Sequence, residues 1–168
     1  MTASEAIRAR RSIRKFVPDI EVTDGQVHAL LEAAMVAPSA CNTRPWEFIV
    51  VRDRKKLDKI KEFHPYDMFE TSHLAIVIMA LPEKQMDPVS SGYYPQDCGA
   101  AAQNILIEAV AQGLGACWCG IYPKEHFIAE IKIILGIEGI PFCIIAVGAP
   151  DEVPKARGFY EESKVRYI

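Results

Sequence analysis

The stretch Arg8-Ala9-Arg10-Arg11-Ser12-Ile13-Arg14-Lys15-Phe16 concentrates cationic chemistry: five of its nine residues are basic and none is acidic. Guanidinium groups grip phosphate oxygens in a bidentate way. Ser12 adds a hydroxyl that can donate to the same oxygens. The stretch therefore reads as an anion site with phosphate as its natural guest. It also suits a solvated helix C-terminus, where the macrodipole favours cations, and the stretch alone does not choose between the two. A second group is the loop Pro38-Ser39-Ala40-Cys41-Asn42-Thr43-Arg44-Pro45-Trp46. Two prolines bracketing small polar residues predict a rigid, exposed loop that presents Ser39 and Asn42. Such loops frequently carry ligand contacts, and a plain connector is the alternative. Further cations, Lys155 and Arg157, stand in the tail that follows Pro150.

Other familiar arrangements are missing. No Gly-x-x-x-x-Gly-Lys run is present, and Gly113-Leu114-Gly115 alone does not make a dinucleotide fingerprint. His28, His64, His73 and His126 are scattered without metal-ligand spacing. Cys117-x-Cys119 lacks both the second pair of a zinc site and the Cys-x-x-Cys spacing of a redox motif. Residues two apart on a strand share a face, so both thiols suit a core. No catalytic side-chain pair and no metal are expected. What remains suits a bound cofactor that carries the chemistry while the protein supplies placement and charge.

At 168 residues the chain is expected to be one domain, 1–168, able to bury roughly 70% of its unfolded surface. The net charge is -3. Residues 1–61 hold 12 Lys and Arg against 8 Asp and Glu, whereas residues 62–168 hold 7 against 14. The basic surface is thus local, which suits a small anionic ligand better than nucleic acid or an acidic membrane. No stretch reads as a bilayer span or a secretory signal. Five cysteines without framework spacing predict a reducing cytoplasm and no structural disulfides.

The elements that must position these groups follow from capping and periodicity. Thr2-Ala3-Ser4-Glu5 and Thr23-Asp24-Gly25-Gln26 have the form of capping boxes. The first opens a short helix expected to carry Ile7 toward the core and to deliver the Arg cluster at its end. The second opens an amphipathic helix with Val27, Leu30, Leu31, Ala34 and Met35 at helical spacing, ended by Pro38. Glu47–Arg52, Leu74–Leu81, Ala116–Ile121 and Phe142–Val147 read as strands. Asp53 caps a charged helix with a narrow apolar edge at Leu57 and Ile60, and Lys124–Leu135 is a helix stopped by Gly136. Pro82–Tyr94 is long for a compact domain and is a candidate lid or binding loop. Gln96–Gln112 is a helix with small or apolar residues on every side, so it must be buried all round, with a subunit interface as the expected source of cover.

Taken in order, Arg10-Arg11-Ser12-Ile13-Arg14-Lys15-Phe16, the loop Pro38–Trp46, the run Ala101-Ala102-Gln103-Asn104-Ile105 through Gly113-Leu114-Gly115-Ala116-Cys117-Trp118, and Lys155-Ala156-Arg157 resemble the FMN-dependent nitroreductase superfamily from end to end. The resemblance implies an α+β fold: a three-layer α/β/α sandwich with a mostly antiparallel central sheet, in an intertwined homodimer with two FMN sites at its interface. It implies ping-pong hydride transfer from NADH or NADPH to flavin N5 and then to a small acceptor such as a nitroaromatic or quinone. By position, Arg10 and Ser12 would hold the FMN phosphate with Lys155 and Arg157. Arg11 would lie against the phosphate or ribityl chain, and Arg14 near the flavin N1/O2 edge. Pro38, Ser39 and Asn42 would reach across from the other subunit, and backbone N–H groups around Trp118, Cys119 and Gly120 would face N5 and O4. Arg44 stands where the family usually has Gln. His64-Pro65-Tyr66-Asp67 offers no match to the Asn or Lys that larger members place near the flavin. A flavin-storage protein without reductase turnover, or a nucleic-acid module using the Arg-rich segment, are the alternatives from other classes.

Overall fold

The structure is a computed structural model describing residues 1–63 and 68–168; the segment His64–Asp67 lies outside the described residues. Ten principal elements follow one another: α1 (Ala3–Ala9), α2 (Asp24–Met35), β1 (Trp46–Val51), α3 (Arg54–Phe63), α4 (Met68–Thr71), β2 (Leu74–Ala80), α5 (Tyr94–Ala111), β3 (Gly115–Gly120), α6 (Glu125–Leu135) and β4 (Ile140–Gly148). The strands form one sheet in the order β1-β2-β4-β3, and every neighbouring pair is antiparallel. Helices cover both faces, giving the expected three-layer sandwich.

Strand β2 shows why. Leu74, Ile76, Ile78 and Ala80 face the layer made by α2 and α5, and Ala75, Val77 and Met79 face the layer made by α3, α4 and α6. The period-two alternation therefore buries both sides, and all seven residues are buried. Each fully buried large side chain contributes about 1.5–3 kcal/mol of burial free energy. Both capping boxes form: Thr2 and Thr23 accept from the N–H of Glu5 and Gln26, whose side chains reach back. Asp53 caps α3 through the Lys55 N–H at 2.9 Å. Gly136 stops α6 at a φ of 69°. Among the described residues no helix is long and apolar enough to cross a membrane.

Two expectations are corrected. Ile7 does not enter the core and is 56% exposed, while Ala6 is buried. Adjacent helical residues point about 100° apart, and α1 packs its small Ala6 side against α5, which turns Ile7 outward. Met35 at the end of α2 is exposed as well. Helix α5 is not buried all round by its own chain, in keeping with the expectation that its own domain would not supply all the cover. Asp97, Cys98, Ala101, Ala102, Ile105, Leu106 and Ala109 are buried, but Ala100, Ile107 and Val110 are only half-buried and Gln103 is exposed. These four share one stripe of the helix, so the uncovered part is a single face. Helix α4 had no periodic signal, being four residues long.

Candidate active site

Residues 12–17 leave α1 as an extended segment that the sheet holds at two points. The Ile13 N–H donates to the Ala116 carbonyl at 3.0 Å, with Ser12 bridged in parallel to Ala116 at the start of β3. Further on, the Val17 N–H donates to the Ala149 carbonyl and the Asp151 N–H to the Lys15 carbonyl, both at 2.9 Å. Two glycines allow this close approach. A Cβ at Gly115 would stand 2.8 Å from Ile13 Cγ2, and one at Gly148 would stand 2.9 Å from Phe16 Cδ1. The Glu152 carboxylate completes the tie by accepting the N–H groups of Arg14 and Lys15. The segment thus draws the tail after β4 against the residues after α1.

The result is a cleft of about 570 Å³ lined by Arg8, Arg10, Arg11, Ser12 and Arg14 from one end of the chain and by Lys155, Arg157 and Gly158 from the other. Six cations line it, and its one carboxylate, Glu152, is engaged by backbone N–H groups. Arg11 also serves the helix end: its Nη1 donates to the carbonyls of Arg8 and Arg10, both at 2.7 Å, satisfying acceptors that α1 leaves open. The helix-end reading of the basic stretch therefore describes Arg11, while its other arginines line the cleft.

Beneath Ser12 lies the thiol pair. Cys117 and Cys119 point to the same buried layer as expected, and Cys119 Sγ meets Met68 Sδ at 3.2 Å. Donation from Cys119 lowers the Cys117 pKa to about 7, helped by the Arg14 charge and the Ser12 hydroxyl against the opposing effect of burial. Cys119 is pushed up by the same hydrogen bond and by burial. All five cysteines are free.

Strand β3 lies at the sheet edge, and parity sorts its backbone groups. Ala116 turns its carbonyl to Ile13, away from β4, so Trp118 and Gly120 face that same outer edge while Cys119 faces β4. Trp118 is held by Phe142, with ring centroids 6.1 Å apart, and by the close approach of Gly99 on α5. Tyr122 lies beside Phe142 and Tyr94; burial, with the Tyr122 hydrogen bond, raises the Tyr94 pKa to about 12.

The loop with Pro38, Ser39 and Asn42 does not line the cleft of its own chain. It is a tight turn at Ala40–Asn42 with φ of 53° at Cys41, 53° at Asn42 and 49° at Arg44. Positive φ is uncommon for residues other than Gly, and such strain persists only where surroundings over-determine it. Ser39 Oγ accepts the Arg44 N–H at 3.0 Å, and Thr43 Oγ1 donates to the Ala40 carbonyl at 3.0 Å. From outside, Asp97 Oδ1 accepts the Ala40 N–H at 3.0 Å. Pro82–Tyr94 wraps around buried Ser90, whose Oγ accepts the Met86 N–H at 2.6 Å. Lys84 from this segment meets Arg44, Trp46 and Phe48 across a groove of about 470 Å³.

Sequence reasoning missed Glu152 and Asp97. Glu152 carries no pattern beyond lying between two prolines in the tail. Asp97 did carry one: it is an acidic residue in the first turn of an otherwise small and apolar helix.

The fold and site define an α/β/α sandwich in which the segments flanking the sheet close a cleft lined by cations. The comparisons name the class. The profile of the Nitroreductase family matches residues 7–70 and 61–149, and the chain belongs to that family. A protein of Methanothermobacter thermautotrophicus, named provisionally as an NADH dehydrogenase/NAD(P)H nitroreductase, is 42% identical over 168 residues, covering 98% of this chain and 86% of its own. An FMN-dependent nitroreductase from Clostridium difficile is 32% identical with a TM-score of 0.84, covering 96% of each chain. A nitroreductase assigned in Desulfovibrio desulfuricans, solved in complex with FMN, is 28% identical with a TM-score of 0.84, covering 100% of this chain and 97% of its own.

Proposed function

We propose that the protein is an FMN-dependent NAD(P)H oxidoreductase of the nitroreductase type. The observation that carries this reading is the cleft where Arg10, Ser12 and Arg14 meet Lys155 and Arg157. Its donor set fits the phosphate of FMN. A phosphate monoester carries a charge near -2, and six cations surround the space against one engaged carboxylate. The names of the relatives, two of which mention FMN and one NAD(P)H, support the same reading.

Within it, Arg10, Ser12, Lys155 and Arg157 hold the phosphate. Each charge-assisted bond contributes about 1.5–3 kcal/mol. Arg11 lines the site while closing the end of α1. Arg14 would stand at the N1/O2 edge of the ring, where a cation stabilises negative charge. The N–H groups of Trp118 and Gly120 on the outer edge of β3 would face N5 and O4; the Cys119 N–H, expected with them, points to β4 because alternate residues of a strand turn to opposite edges. When bound, FMN supplies the hydride chemistry, taking hydride from NADH or NADPH and passing it to a small acceptor. No side chain of this chain is required as acid, base or nucleophile.

Pro38, Ser39 and Asn42 serve the site of a partner copy in a homodimer. Their loop stands outside the cleft of its own chain, and α5 leaves one face with Ile107 and Val110 incompletely covered. The free thiols suit a reducing cytoplasm.

The test is the visible spectrum of the purified protein followed by anaerobic NADH titration. A yellow dimer bleached by NADH is expected, and a colourless protein that FMN cannot reconstitute refutes the reading. Bleaching too slow to support an acceptor would leave flavin storage instead. In Arg10→Ala, FMN affinity is expected to fall about tenfold or more. An unchanged affinity would place the phosphate elsewhere.

A further inference from the structure

Asp97 is a buried carboxylate that no part of the proposed mechanism uses. It is 6% exposed. One oxygen accepts the Ala40 N–H at 3.0 Å, and the other is buried with no hydrogen-bond partner among the described residues. A carboxylate held by one bond in the interior is costly. An apolar residue would cost less unless an acceptor were needed at this point.

The surroundings supply the need. The turn that Ala40 opens carries left-handed backbone at Cys41, Asn42 and Arg44. Its internal bonds run from Asn42 N–H to the Ser39 carbonyl, from Thr43 N–H to the Ala40 carbonyl and from Arg44 N–H to Ser39 Oγ. These shape the turn without tying it to the scaffold. At its rear the loop is tied by Arg44 Nη2 donating to the Met35 carbonyl at 3.3 Å and by the Leu81 N–H donating to the Pro45 carbonyl at 3.0 Å, and helix α5 adds two consecutive residues, of which Asp97 alone reaches the front. Asp97 holds Ala40 at the front of the loop, and the Cys98 thiol donates to the Pro45 carbonyl at 3.7 Å at the rear.

We propose that Asp97 is a positioning residue for the flavin site, fixing the loop 38–45 in the shape that presents Ser39 and Asn42 to the cofactor. The proposal rests on the flavin reading above. Asp97 acts through one hydrogen bond to a backbone N–H, not through its charge, and it acts on the ring and ribityl portion rather than on the phosphate.

Riboflavin lacks the phosphate and separates these portions. In Asp97→Ala, affinities for FMN and riboflavin are expected to fall by the same factor, about tenfold. Asp97→Asn keeps an acceptor and is expected to restore both. Arg10→Ala instead weakens FMN selectively. Amide hydrogen exchange on the full chain reads the loop without reference to turnover. Asn42, Thr43 and Arg44 are expected to exchange about tenfold faster in Asp97→Ala, with β2 unchanged. Native affinity for both flavins in Asp97→Ala overturns the proposal, and so does a loss confined to FMN. If Asp97→Ala exchanges globally, Ala40→Pro decides. It removes the donor, and Ser39 already has the extended backbone (φ -142°, ψ 153°) that a following proline requires. Ala40→Pro should reproduce the paired loss of both flavins, and intact flavin binding in that variant also overturns the proposal. A wild-type protein that binds neither flavin refutes the cofactor reading itself, a result distinct from all of these.

Discussion

Replacing Gly115 by Ala adds one methyl group at the point where the cationic segment crosses the sheet. The new carbon would meet Ile13 Cγ2 at 2.8 Å, Cβ at 2.9 Å and Cγ1 at 3.1 Å. Ile13 is β-branched and stiff at χ1, and it is buried with its N–H on the Ala116 carbonyl. It therefore cannot swing aside, and the whole segment must shift or the sheet edge must yield. Overpacking of this kind costs about 1–3 kcal/mol, and each kcal/mol lowers the thermal midpoint by about 2–4 °C at this chain length. If the segment yields, Arg10 and Ser12 leave their places opposite Lys155 and Arg157. Losing one charge-assisted bond then weakens FMN about tenfold or more, with a smaller effect on riboflavin. Gly148→Ala is the control, because it strikes Phe16, beyond the phosphate-holding residues, and is expected to lower stability more than affinity. Thermal unfolding and flavin fluorescence quenching measure both quantities. A Gly115→Ala protein with unchanged midpoint and unchanged FMN affinity would refute the account of how this segment is held.

Other outcomes follow from the same structure. Ile107→Glu on the incompletely covered face of α5 is expected to shift the protein from dimer to monomer in sedimentation or light scattering; a dimer of unchanged stability would assign the interface to another surface. His73 lies 3.1 Å from Arg52 Nη1. Its pKa is lowered from 6.5 by burial and then by Arg52, against Glu21. The unfolded chain therefore binds this proton more readily, and this group's contribution to stability falls as pH drops below 6.5 toward the lower folded pKa. Urea midpoints at pH 8 and pH 5.5 should converge in His73→Gln relative to wild type, and an identical pH dependence in both would refute the assignment. Thr23→Ala removes the cap of α2 and is expected to cost about 1 kcal/mol in urea unfolding; no change in midpoint would mean the cap contributes nothing.

Local signals carried much of the architecture. Thr2, Thr23, Asp53 and Gly136 act within a turn of where they sit, so their caps and stops were legible from neighbouring residues. The apolar runs of β2 and β4 declared burial on both faces because nothing polar interrupts them. Arg10, Ser12, Lys155 and Arg157 stood out by residue type and by their order along the chain. Tertiary structure decided the rest. Ile7 and Ala6 offer the same helix two faces, and only the docking of α1 on α5 settled which one is buried. The clearance at Gly115 and Gly148 exists only once Ile13 and Phe16 cross the sheet there. Glu152 and Asp97 each accept from a backbone N–H more than fifty residues away. Backbone donors are present at nearly every residue and leave no mark on sequence. A side chain whose partner is a distant main-chain N–H is therefore invisible until the fold brings the two together.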